Sequence, residues 1–108
     1  MDAFQALADP TRRAIVAMLA EGERSAGEIG AAFTISAPAV SQHLKALREA
    51  RLVKARPEAQ RRIYQLDREG IQEVEAWLLE VRQFWNERLD ALERHLAAET
   101  ETERSGEP

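Results

Sequence analysis

Between positions 36 and 48 the chain reads SAPAVSQHLKALR. Wound as a helix at about 100° per residue, this segment gathers Val40, Leu44 and Leu47 on one face. The opposite face carries Pro38, Gln42 and Lys45, with Ala39 and Ser41 at its edges and Arg48 flanking on the Ser41 side. Small residues at the helix start, Ala37 and Pro38 among them, let its backbone approach a nucleic-acid groove closely. The amide of Gln42 can pair bidentately with adenine, and the hydroxyl of Ser41 can reach a base or a phosphate. Lys45 and Arg48 suit phosphate. Four more cations, Lys54, Arg56, Arg61 and Arg62, follow in LVKARPEAQRRIYQL. Phosphate or minor-groove contact is one reading of these four, and charge protection of an edge strand is the other. Arg61 and Arg62 are assigned to contact because they extend the same basic patch.

The charge distribution agrees. The formal net charge is −4, yet residues 36–66 hold seven basic and two acidic side chains, a net of +5. Residues 67–108 hold five against twelve, a net of −7. A basic middle on an acidic chain marks a local patch for a polyanion.

Other chemistries find little material. There is no cysteine, which removes disulfides, thiolate metal sites and cysteine nucleophiles. Five glycines disfavour a phosphate-cradling loop. No paired carboxylates stand in an apolar setting. Ser41, Gln42 and His43 are no triad, because neighbours at i and i+2 on a helix point apart. The expectation is therefore no enzyme, no cofactor and no metal. No apolar run approaches the roughly 20 residues that cross a bilayer, and MDAFQALADP lacks the basic flank and apolar stretch of a secretion signal, so no membrane is expected and the expected address is the cytoplasm.

Two histidines and two arginines have plain alternatives. His43 lies nearer the buried side of the wheel and reads as a half-buried, satisfied histidine rather than a phosphate contact or a pH-sensitive group. His95 reads as solvated. Arg12 and Arg13 follow a helix start, where a surface salt bridge competes with phosphate contact, and they stay outside the expected site.

These residues need elements to hold them. Phe4 and Leu7, three apart, indicate a short first helix. Asp9-Pro10 is a helix start, and the helix it opens runs to about Ala20, with Ile15, Val16 and Leu19 on one face and Glu21-Gly22 as its stop. Ser25-Ala26-Gly27-Glu28 has capping-box spacing and opens a short helix with Ile29 and Ala32 inward. Thr34-Ile35 turns, and Ser36 caps the helix spanning 36–50. Residues 52–66 read as two strands around a Pro57-Glu58-Ala59-Gln60 tip, with Leu52 and Val53 entering and Ile63, Tyr64 and Leu66 leaving; Ile63 or Tyr64 faces in. Asp67 caps a last helix reaching about Ala98. Its apolar residues Ile71, Val74, Leu78, Val81, Trp85, Leu89, Leu92 and Leu96 step by three or four, close to a heptad seam. Trp77 and Phe84 widen that seam, and together with Trp85 they read as interface packing rather than as the lining of an inducer pocket. A helix of about 30 residues is roughly 45 Å long, longer than the small domain before it, so its far end needs a second apolar surface, and a second copy of the chain is the expected one. Residues 99–108 read as a disordered tail.

The fold class expected is mainly α with a small β-hairpin: a winged helix-turn-helix with a long C-terminal dimerisation helix, one domain over 1–98. LADPTRRAIVAML, GEIGAAFTISAPAVSQHLKALREARLVKAR and RRIYQL resemble the ArsR family of bacterial winged-helix repressors across roughly residues 3–66. The resemblance implies a homodimer that presents two recognition helices and two wings to a palindromic operator, with the first and last helices forming the interface. By the same resemblance, Ala37, Pro38, Ser41 and Gln42 match groove-facing positions. The metal-sensing pattern is absent: SAGEIGAAF has no cysteine pair, and the last helix has His95 as its one histidine. The chain is thus similar to a cysteine-free, non-metal-sensing branch, for which an inducer is often unknown. The tip also lacks the glycine that relatives often carry.

Together these readings predict a homodimeric, sequence-specific repressor of transcription, an autorepressor by resemblance, that binds double-stranded DNA through helix 36–50 and wing 52–66. The predicted contact set is Ala37, Pro38, Ser41, Gln42, Lys45, Arg48, Lys54, Arg56, Arg61 and Arg62. The predicted dimer interface is Phe4, Leu7, Val81, Trp85, Leu89, Leu92 and Leu96. The alternative is a helical adaptor of the same fold that binds protein.

Overall fold

The structure, a computed structural model, describes residues 2–105, with side-chain environments for residues 2–102. The chain divides into two units, Met1–Val74 and Glu75–Pro108, where a single domain over 1–98 is expected from sequence. The first unit opens with α1 (Ala3–Leu7) and α2 (Pro10–Glu21). Asp2 and Gln5 close a capping box on α1, and Asp9 Oδ1 accepts the Arg12 N–H at 3.0 Å at the start of α2. The Ser25 and Glu28 capping box starts α3 (Ala26–Ala31) as its spacing predicts. Ala32 is the C-cap of that helix and is exposed, so its expected inward position is corrected: α3 stops one residue too early to turn it inward.

The recognition segment forms α4 (Ala37–Glu49), with β2 (Val53–Glu58) and β3 (Arg61–Leu66) after it. The hairpin gains a third strand, β1 (Arg24–Ser25), giving an antiparallel sheet in the order β1-β3-β2. Two residues carry no alternating pattern, and Ser25 already signals a helix cap, so β1 has no sequence signature of its own. Pairing runs from Val53 opposite Leu66 to Glu58 opposite Arg61. The turn is therefore Ala59-Gln60 alone, and Pro57 and Glu58 belong to the strand. Ala59 takes φ +56°, the left-handed conformation that glycine adopts at less cost.

The core of this unit packs Ile15, Leu19, Ile29, Leu44, Leu47 and Leu52 with Val40, Val53 and Tyr64. Both Ile63 and Tyr64 are buried, where strand alternation leads one to expect a single inward side chain; β3 is the central strand. Leu7 packs against the core. Helix α4 ends in a Schellman motif: the Leu52 N–H donates to Leu47 O and the Arg51 N–H to Arg48 O, both at 3.0 Å, with Arg51 at φ +60°.

Helix α5 (Arg68–Ser105) begins in the first unit, where Ile71 and Val74 pack against the core. Asp67 Oδ1 accepts the Glu69 N–H. The helix continues through Ser105, so the disordered tail expected from residue 99 is corrected over 99–105; residues 106–108 lie outside the described residues. The Thr100 and Thr102 hydroxyls donate to the carbonyls of Leu96 and Ala98, the back-bond that threonine makes within a helix. Among the described residues, no helix is long and apolar enough to cross a membrane.

The junction after α4 is tight. The Gly70 N–H donates to Arg51 O at 3.1 Å, and a Cβ on Gly70 would lie 2.2 Å from that same oxygen. Gly70→Ala is expected to cost on the order of 2–3 kcal/mol, a fall in melting temperature of roughly 10–20 °C for a chain of this size. Calorimetry giving an unchanged transition would refute the close approach.

Candidate nucleic-acid interface

Ser36 Oγ accepts the Ala39 N–H at 3.2 Å and fixes where α4 begins. Pro38 sits in the first turn, where its missing N–H leaves no intrahelical bond unmade. With that start, Val40, Leu44 and Leu47 are buried while Ala37, Pro38, Ser41, Gln42, Lys45 and Arg48 are all exposed. The exposed face is therefore the one the helical wheel assigns.

His43 is half-buried, with 20% of its side chain exposed. Its Nδ1 lies 3.4 Å from Arg12 Nη1 and 4.0 Å from Asp9 Oδ1. A neutral ring accepts from Arg12 through Nδ1; a protonated ring instead faces Asp9 with a donor. The Arg12 backbone N–H, ahead of the charge of His43, holds the Asp9 carboxyl below its ordinary value. Arg12 also donates to Ala6 O at 2.6 Å and Gln5 O at 3.3 Å, and Arg13 donates to Leu7 O and Ala8 O. These two arginines hold the open carbonyls at the end of α1, a role that neither a salt bridge nor a phosphate contact describes.

The wing cations separate. Arg62 joins Ser41, Lys45 and Arg48 around a cleft of about 750 Å³ between α3, α4 and β3. Lys54 meets Lys45 and Arg48 across a second, smaller cleft beside β2, which Glu49 and Asp67 also line. Arg61 is exposed beside Arg62 on the same strand, and neighbours on a strand face opposite ways. Arg56 departs from the expected open contact. Its guanidinium donates to Glu23 Oε2 at 2.7 Å and lies 3.7 Å from Glu58 Oε2. The bond from Arg56 lowers the Glu23 pKa, and the same bond raises that of Arg56. Glu23 stands 33 positions from Arg56, so no local pattern reveals the pair.

In the second unit, Val81, Trp85, Leu89, Leu92 and Leu96 are all exposed, between 42% and 61%. Phe4 on α1 is 40% exposed. Leu7 is half-exposed, part of its side chain packing against the core of its own chain. Phe84 is covered on one face by Arg88, 5.5 Å from the ring centroid. Among the described residues, no three His, Asp or Glu side chains converge as a metal site requires.

The model of the family described as "bacterial regulatory protein, arsR family" matches residues 9–55. The HTH-type transcriptional regulator Rv2034 of Mycobacterium tuberculosis is 49% identical over 81% of this chain and 78% of its own. The chain belongs to the ArsR family. The transcriptional repressor SdpR of Bacillus subtilis is 37% identical over 70% of this chain and 84% of its own. The solution structure of Mb0332 from Mycobacterium bovis is similar at a TM-score of 0.62 and 32% identity, covering 75% of each chain. That protein is described as a homodimeric winged helix-turn-helix DNA-binding domain, possibly of an ArsR-family regulator. The stretch matched to the ArsR family covers α2, α3, α4 and the start of β2, so the strand bearing Arg62 lies outside it.

The Glu23–Arg56 pair has a pH signature. A lowered carboxyl pKa adds stability above the ordinary carboxylate range and loses it as pH falls through the lowered value. Thermal unfolding between about pH 3 and 7 should therefore depend less steeply on pH in Glu23→Gln than in the parent chain. Identical slopes would show that the pair contributes nothing.

Proposed function

We propose that this protein is a homodimeric repressor of transcription that binds double-stranded DNA through α4 and the wing, without enzymatic chemistry, at a palindromic operator upstream of its own gene. The observation carrying this reading is the exposed face of α4. Ala37, Pro38, Ser41 and Gln42 stand open at its N-terminal half, and Lys45 and Arg48 flank them. Arg62 shares a cleft with four of these side chains, Ala37, Ser41, Lys45 and Arg48, and no acidic residue lines it. A helix with small residues at its start, an amide in its middle and cations at its sides fits a major groove between two phosphate strands. Lys54 adds a cation beside Lys45 and Arg48, and Arg61 lies further along the wing. Arg56 joins the contact set only when DNA phosphates displace Glu23.

The name of one relative, a transcriptional repressor, and the homodimeric DNA-binding description of a structural neighbour support the same reading. Dimerisation follows from the exposed apolar seam Val81, Trp85, Leu89, Leu92 and Leu96, with Phe4 from α1. A second copy buries such a seam as an antiparallel or parallel helix pair does. Two recognition helices then meet half-sites about 34–36 Å apart. The protein works in the cytoplasm, where the DNA is.

Fluorescence anisotropy with DNA from upstream of the gene, at several salt concentrations and against a scrambled duplex, tests the proposal. Tight, sequence-selective and salt-sensitive binding is expected; equal, weak binding to both duplexes and to a random pool would overturn it. Gln42→Ala should relax selectivity at one base position by about 1–3 kcal/mol, read by competition with single-base variants; an unchanged base preference removes Gln42 from direct readout. Leu92→Asp should give a monomer by sedimentation and lose most operator affinity, because one half-site alone is engaged. A dimeric Leu92→Asp would place the interface elsewhere.

A further inference from the structure

The cleft between α3, α4 and β3 has features that DNA contact does not account for. Its volume, about 750 Å³, lies within the range of small-molecule sites. Its apolar side is built from Ile35, Val40 and Leu44, and Ile35 remains 38% exposed at the turn before α4. Gly27 and Gly30 widen the opposite wall, and a Cβ on Gly30 would meet nothing within 4 Å. Three cations, Lys45, Arg48 and Arg62, stand at the rim, and among the described residues none of them has a carboxylate within salt-bridge distance.

Tyr64 supplies a second, independent observation. The residue is 5% exposed and lines the cleft. Its hydroxyl makes no hydrogen bond among the described residues, yet it is not sealed from solvent. A solvent-accessible hydroxyl without an internal partner is free to bond a ligand. DNA phosphates satisfy the rim cations but bring little to Ile35, the glycine wall or the Tyr64 hydroxyl. One chemistry meets all of these: a carboxylate at the cations and the tyrosine, joined to an apolar body that lies along Ile35, Val40 and Leu44.

We propose that this cleft binds a soluble amphipathic monocarboxylate, and that binding there displaces DNA by occupying Lys45, Arg48 and Arg62. The displacement rests on the DNA-binding reading above; the binding does not. Such a ligand needs no change of shape to act as an inducer, because it competes for the same cations.

Decanoate, used as a monomer and titrated into the DNA-free protein by two-dimensional NMR, tests the binding. Shifts are expected at Gly27, Gly30, Ile35 and Tyr64. Butyrate, which keeps the charge, and decanol, which keeps the body, should each bind at least about tenfold more weakly. Arg62→Ala should weaken decanoate by about tenfold, as loss of a charge-assisted hydrogen bond does. Tyr64→Phe removes only the hydroxyl and should weaken it by a smaller factor. Gly30→Leu grows into open space and improves helix propensity, so it should fold, fill the cleft and abolish decanoate binding while DNA binding persists. Shifts confined to the apolar seam of α5, equal binding of decanol, or full binding by Gly30→Leu would each overturn the site. Decanoate bound in the cleft but unable to displace DNA that is itself tightly held would overturn the competition alone. Absence of selective DNA binding with intact decanoate binding would overturn the repressor reading and leave the site standing.

Discussion

The rest of the structure depends on how the chain leaves α4. Within a few residues it ends the recognition helix, starts the wing and receives the first turn of α5. Arg51 adopts a left-handed conformation so that Arg51 and Leu52 can return their N–H groups to the helix. That reversal points Leu52 into the core, where it meets Leu47, the hydrophobic contact that accompanies a Schellman motif. The freed carbonyls of Arg51 and Leu52 then accept Gly70 and Asp67. A helix, both strands of the hairpin and the last helix are thus tied at one point. The position of Arg62 relative to Lys45 and Arg48 follows from it, because the register from Val53 opposite Leu66 outward is set at this end of the hairpin.

A second constraint is electrostatic. The basic stretch 36–66 is not uniformly open to a polyanion. Arg56 is bound to Glu23 and Glu58. Lys45, Arg48 and Arg62 surround a cleft without acids. Surface ion pairs are individually weak, so the Glu23 pair can yield to a phosphate. In that cleft the trio faces an anion with no such exchange to make.

Arg12 and Arg13 show how a helix of five residues is kept in place. Alone, α1 (Ala3–Leu7) is far too short to be stable. The arginines of α2 satisfy its terminal carbonyls, and Ala3 and Ala6 are buried against the core. Through His43, which contacts Arg12, the same hydrogen-bonded group touches the recognition helix.

Much of this was legible in the residues themselves. Caps at Asp9, Ser25 and Ser36 mark helix starts because each side chain bonds a backbone N–H three residues on. The spacing of Val40, Leu44 and Leu47 determines which face of α4 is buried, and with it which residues stand outward. These are local relations, and one sequence contains them whole. Tertiary structure alone decided the rest. It recruited Arg24 and Ser25 as a third strand and shortened the wing turn to Ala59-Gln60. It matched Arg56 with Glu23, parted Arg61 from Arg62, and set Tyr64 and Gly30 around one cleft. Each of these depends on residues far apart in the chain or on a partner strand. Their geometry follows from how the elements pack, which no local spacing records.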